Sequence, residues 1–116
     1  MSGAERTREA ARVYFEAWRD RDFALLRTVL AEDVEFSGVF GDAHGIDECI
    51  AGLQGMASSV MDTVELTRRV VEDADAMTWF DLIGTNGARV PTVNWSRVEN
   101  GLITRIRVVF DPRPLT

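Results

Sequence analysis

The sequence contains no lysine; all thirteen of its basic residues are arginine. That excludes Schiff-base chemistry and any lysine nucleophile or base. It holds a single cysteine, Cys49, so no disulfide can form within the chain, which fits a reducing compartment. It also holds a single histidine, His44. A zinc centre needs three or four ligands, and no Cys/His or acidic cluster completes one, so no metal is expected. No stretch approaches the roughly eighteen apolar residues of a membrane helix. The polar start Ser2-Gly3-Ala4-Glu5-Arg6 lacks the apolar run of a signal peptide, and a cytoplasmic location is expected. The net charge is −6, with acids and bases interspersed rather than gathered into a basic stripe. Phosphate binding needs clustered positive charge, so nucleic acid is not an expected partner. Gly38, Gly41 and Gly45 lack the spacing of a phosphate loop, and no organic cofactor is expected.

What is present suits one globular domain over residues 1–116. Apolar residues make up 46% of the chain and charged residues 28%. Ser2 and Glu5 have capping-box spacing. Ala10, Tyr14, Ala17 and Trp18 then recur at helical spacing, opposite Arg8, Arg12, Glu16 and Arg19, which predicts an amphipathic helix to about Asp20. Asp22 caps a short second helix carrying Phe23, Leu26, Val29 and Leu30. Val34, Phe36 and Phe40 predict a short strand, and residues 41–45 a loop containing His44. Ile46, Ile50, Leu53, Ala57 and Val60 fit a third helix.

The remainder reads as four strands at about 63–71, 76–84, 88–98 and 102–110. Thr85-Asn86-Gly87 and Glu99-Asn100-Gly101 are hairpin signals between them. Pro91 marks an edge or a bulge. The tail from Asp111 to Pro114 is expected to be extended. The fold class is therefore α+β, with three N-terminal helices covering one face of a curved, mainly antiparallel sheet around an internal pocket.

Strand alternation assigns faces. Met77, Trp79, Asp81 and Ile83 are placed inward with Val90, Thr92, Asn94 and Ser96, and with Thr104, Ile106, Val108 and Phe110. Phe80, Leu82, Val93, Trp95, Ile103 and Val109 are placed outward. So much outward apolar surface, rimmed by Arg97, Arg105 and Arg107, implies a homodimer through the outer sheet face. A bulge at Pro91 would reverse the phase of its strand.

The order of elements resembles the nuclear transport factor two-like cone superfamily, in its branch of ketosteroid isomerases and SnoaL-like polyketide cyclases. The residues that carry the likeness are Tyr14-Phe15-Glu16-Ala17-Trp18-Arg19-Asp20-Arg21-Asp22, then Leu30-Ala31-Glu32-Asp33-Val34. His44-Gly45 before the third helix and the closing Asn100-Gly101-Leu102-Ile103 hairpin continue it. The resemblance implies a cone-shaped domain with a pocket inside, often dimeric. It matches Tyr14 to the family's first-helix tyrosine and Asn94 to its hydrogen-bonding acid. The family's proton-moving aspartate falls at or next to Gly38, so steroid isomerisation by that route is not expected. The acids of the epoxide-hydrolase branch fall near Val108 and Asn94, so that chemistry is not expected either.

The candidate catalytic residues are Tyr14, Asp81 and Asn94. Asp81, if inward, is a poorly solvated carboxylate suited to acid–base work; otherwise it is a hydrated strand carboxylate or pairs with Arg89. Tyr14 and Asn94 either polarise a ligand oxygen or satisfy neighbouring polar groups. Trp18, Phe36, Trp79, Ile106 and Phe110 are the expected walls. Two functions follow: a cofactor-free isomerase- or cyclase-like enzyme acting on a hydrophobic carbonyl metabolite, or a non-catalytic small-molecule binding module with the same pocket.

Overall fold

The computed structural model describes residues 2–116. Helix α1 spans Gly3–Arg19 and begins where the Ser2 hydroxyl accepts from the Glu5 amide at 3.1 Å. Its buried face carries Thr7, Ala10, Ala11, Tyr14, Phe15, Ala17 and Trp18, the stripe that helical periodicity requires. Helix α2 spans Phe23–Arg27, capped by Asp22 through the Leu25 amide at 3.1 Å. Helix α3 spans Ile46–Ser59 and buries Cys49, Ile50, Leu53 and Ala57.

Six strands form one sheet: β1 Leu30–Gly38, β2 Gly41–His44, β3 Met61–Glu72, β4 Asp75–Gly84, β5 Arg89–Glu99 and β6 Leu102–Val109. Their order is β2-β1-β6-β5-β4-β3. All neighbours are antiparallel except β1 and β6, which run parallel. The result is a curved, unclosed mixed sheet whose inner face is covered by the three helices. Phe15 and Trp18 of α1 meet Phe80 of β4 edge-on, with ring centroids 5.1 and 6.4 Å apart.

Three boundaries differ from expectation. Leu30 opens β1 rather than closing α2, because its amide-side neighbour Val29 already bonds to the Ile103 amide through its carbonyl at 2.8 Å. Residues 41–44 form β2 instead of a loop, since they fold back on β1 in a tight hairpin pairing Gly38 with Gly41. The tail is not extended: Arg113–Leu115 forms a 3-10 turn that buries Leu115 against the core. Asn86 fastens the turn by donating to the Pro114 carbonyl at 2.9 Å.

The larger departure is the phase of β4. Ala76, Thr78, Phe80, Leu82 and Gly84 face inward, while Met77, Trp79 and Asp81 face outward. Both sets are largely apolar, so alternation alone does not choose between them. The turn does. A two-residue Asn86-Gly87 loop would pair Thr85 with Ala88 and set Trp79 opposite Asn94. Instead the Gly84 amide donates to the Ala88 carbonyl at 2.8 Å, leaving three residues in the loop. That one extra residue pairs Thr78 with Asn94, Phe80 with Thr92 and Asp81 with Pro91. Since directly opposed residues share a face, every β4 side chain changes side. Pro91 itself causes no reversal, and β5 keeps the expected phase. In β6 a bulge between the Arg97–Arg105 and Val98–Ile103 pairs turns Ile103 inward, where it is fully buried.

Candidate functional site

Between α1, α3 and the β1–β2 hairpin lies a cavity of about 330 Å³. Tyr14 and Trp18 reach it from α1, one turn apart on the stripe that must face the sheet. Cys49 and Leu53 approach from α3, Phe36 from β1, and Phe110 from the end of β6. Phe40, at the exposed hairpin tip, packs edge-on against Phe110 with centroids 5.6 Å apart and closes one side. Trp18 is oriented by its indole N–H, which donates to the Leu53 carbonyl at 3.4 Å. The walls are mainly apolar, and Asp42 and Glu48 supply carboxylates at the exposed rim.

The polar feature of the interior is Tyr14. Its side chain is buried and its hydroxyl has no hydrogen-bond partner. Burial pushes the phenol well above its ordinary pKa, the Cys49 thiol adds to the effect, and the Asn94 amide opposes it. Tyr14 is therefore a neutral donor at any physiological pH. Burial also pushes the Cys49 thiol up to about 11, so it stays protonated. Asn94 is buried beside Tyr14 rather than on the cavity wall. Its Oδ1 accepts from the Ser96 hydroxyl at 2.8 Å, which turns its Nδ2 the other way, and Nδ2 has no partner.

Of the eight residues expected at the site, Tyr14, Trp18, Phe36 and Phe110 line the cavity. Asn94 stands behind Tyr14, and Ile106 is fully buried core beside Phe36. Asp81 and Trp79 are on the other side of the sheet. Asp81 accepts from Arg89 at 2.9 Å, and Trp79 is half exposed. The expected convergence of Tyr14, Asp81 and Asn94 therefore reduces to Tyr14 and Asn94. Sequence reasoning did not single out Leu53, Met56, Val39 or Phe40 as walls, although the helical spacing of Leu53 was visible. Leu82, assigned outward, also lines the cavity because of the β4 phase. His44 lies outside it, with Nδ1 2.5 Å from a Glu35 carboxylate oxygen.

Comparison with known proteins agrees with this architecture. No curated protein matches the chain in sequence. A nuclear transport factor two-like protein of unknown function from Cytophaga hutchinsonii is 24% identical, with 94% of this chain and 93% of that one covered and a TM-score of 0.82. A protein with a ketosteroid isomerase-like fold from Catenulispora acidiphila, solved with trimethylamine, is 15% identical over 89% of this chain and 85% of that one, with a TM-score of 0.80. An LEH-like epoxide hydrolase from M. tuberculosis is 23% identical over 97% and 87%, with a TM-score of 0.78. At such identities the likeness shows a shared fold and leaves the chemistry to the site. The model of the SnoaL-like domain matches residues 11–106, which include the second half of α1 with Tyr14 and Trp18, all of α3 and the cavity wall apart from Val108 and Phe110, and the chain belongs to that family.

Proposed function

We propose that this protein binds a hydrophobic small molecule bearing a carbonyl oxygen, with Tyr14 donating to that oxygen and Asn94 acting on Tyr14 from behind. The supporting observation is the buried hydroxyl of Tyr14, a residue that lines an apolar cavity, left without a hydrogen-bond partner, with the unpartnered Asn94 Nδ2 buried outside that cavity. A buried polar group left unsatisfied costs about 1–3 kcal/mol. A ligand oxygen removes that cost, and apolar walls with a few placed polar groups are the usual build of a small-molecule site. The reading needs no cofactor. Binding is the better supported function because Asp81, the expected acid or base, is on the far face.

A second reading, isomerase- or cyclase-like turnover by acid–base chemistry, rests on the rim carboxylates Asp42 and Glu48. Calorimetry with 2-acetylnaphthalene and its oxygen-free analogue 2-ethylnaphthalene tests the first reading. The ketone should bind about 3- to 10-fold tighter, the worth of one net hydrogen bond. Tyr14→Phe should erase the difference. Equal affinities in the unmodified protein would refute the reading. Proton exchange at the ketone's α-carbon, lost in Asp42→Asn or Glu48→Gln, would establish turnover.

The protein is further proposed to pair through its outer sheet face. Val70, Met77, Trp79 and Val109 are exposed there, next to half-buried Val93 and Trp95. This patch replaces the expected one, since Phe80, Leu82 and Ile103 are fully buried. Apolar surface on that scale is characteristic of an interface.

A further inference from the structure

Among the described residues, the only charged side chains that line the cavity are two carboxylates. Asp42 belongs to β2 and Glu48 to the first turn of α3. None of the thirteen arginines lines it. Each carboxylate is oriented by a neutral donor. The Ser37 hydroxyl donates to Asp42 Oδ1 at 2.9 Å, and the His44 amide donates to Glu48 Oε1 at 3.1 Å. Neither donor offsets the negative charge, and among the described residues neither carboxylate makes an ion pair. His44 lies outside the cavity and is engaged by Glu35.

Three further observations concern the same space. Gly52 stands one helical turn beyond Glu48 and lines the cavity, and nothing lies within 4 Å of where its Cβ would be, so the space beside Glu48 is open. Phe40, two residues before Asp42, is 55% exposed at the mouth and packs on Phe110. An aromatic ring in that position attracts a cation through its π-face. Tyr14, 1% exposed and with its hydroxyl unpartnered, lines the cavity from α1.

We propose that the cavity takes carbonyl compounds that also carry a positive charge, amino ketones and their quaternary analogues, with the ammonium group held at the rim by Asp42, Glu48 and Phe40 and the carbonyl at Tyr14. This rests on the reading of Tyr14 as the group that meets the ligand oxygen, and names the ligand class. A cleft with charges of one sign and low-dielectric walls focuses its field on ligands of the opposite sign. The net charge of −6 acts in the same direction. The ammonium group stays at the rim, where it keeps part of its hydration, while the apolar body of the ligand is buried.

The test uses 4-acetyl-N,N,N-trimethylanilinium and its neutral isostere 4′-tert-butylacetophenone. They share the carbonyl and the shape and differ by one permanent charge. Calorimetry at low salt should show the cation bound at least about threefold more tightly by the unmodified protein. Asp42→Asn and Glu48→Gln should each lower that preference about 2- to 5-fold. Glu99→Gln, which removes an exposed carboxylate from the β5–β6 turn, should leave the preference in place. Equal binding of the two probes by the unmodified protein, or tighter binding of the isostere, overturns the proposal. So does a preference that survives both rim substitutions, or one that falls equally in Glu99→Gln, since net charge would then be its source. Tyr14→Phe separates the two levels. If it weakens binding of either probe, the cavity reading stands whatever the carboxylates do; if it weakens neither, both fall.

Discussion

Asp81 and Pro91 are directly opposed across β4 and β5, and Arg89, two residues before the proline, reaches back to the Asp81 carboxylate at 2.9 Å. The same guanidinium lies 2.5 Å from Glu65 on β3, so the three residues form a surface network on the outer face. Asp81 therefore has a structural partner and no access to the cavity. Asp81→Asn should leave ligand affinity within twofold and lower stability by no more than about 1 kcal/mol, the ordinary worth of a surface ion pair. Calorimetry and thermal unfolding check both. Loss of binding in this variant would return Asp81 to the site.

Trp79, half exposed and paired with Val93, sits in the middle of the outer apolar patch. Replacing it by glutamate places a charge where two copies would meet, and a buried unpaired charge is strongly unfavourable. Light scattering at micromolar concentration should give a dimer for the unmodified protein and a monomer for Trp79→Glu. A monomer in both cases would remove the proposed pairing.

Phe80, one residue further on, has the opposite fate: it is fully buried against Phe15 and Trp18. Phe80→Ala should cost about 3–5 kcal/mol, as large-to-small changes in aromatic cores do. Trp79→Ala should cost far less. Denaturant unfolding of the two variants reads the phase of β4 directly, and equal losses would contradict it.

The contrast shows how far the sequence alone carries. Helical periodicity around Tyr14 and Trp18 places both on the buried stripe, and the turn signals at Asn86-Gly87 and Asn100-Gly101 mark the hairpins. The family match over residues 11–106 agrees with the resemblance that these elements suggest. What alternation does not carry is the phase of a strand that is apolar on both faces. In β4 a single loop residue decides it, and in β6 a bulge does. Trp79 and Asp81 are misplaced for that reason, whereas the β5 set containing Asn94 has one polar-and-small face and is placed correctly. The hairpin wall around Phe40 is illegible for a different reason: it is short, glycine-rich and stabilised by pairing with β1.

His44 and Glu35 give a pH dependence with a defined sign. The hydrogen bond to Glu35 raises the His44 pKa above its ordinary value. A raised folded-state pKa means a stabilising contribution that is fully present below the unfolded-state pKa and fades as pH rises through the folded one. The imidazole titration followed by NMR should have its midpoint above about 6.5 and return toward it in Glu35→Gln. An unshifted midpoint in the unmodified protein would show that the pair does not persist in solution.

The central claim is that Tyr14 donates a hydrogen bond to a ligand oxygen inside the cavity. The infrared difference spectrum between bound 2-acetylnaphthalene with carbon-12 and with carbon-13 at its carbonyl cancels the protein's own amide bands and isolates that one bond. Hydrogen bonding from Tyr14 should lower the carbonyl stretching frequency of the bound ketone relative to its value in an apolar solvent. Tyr14→Phe should move it back, and Asn94→Leu should move it part of the way. A bound carbonyl that vibrates at its apolar-solvent frequency in the unmodified protein, or at one unchanged frequency in all three proteins, would contradict the account.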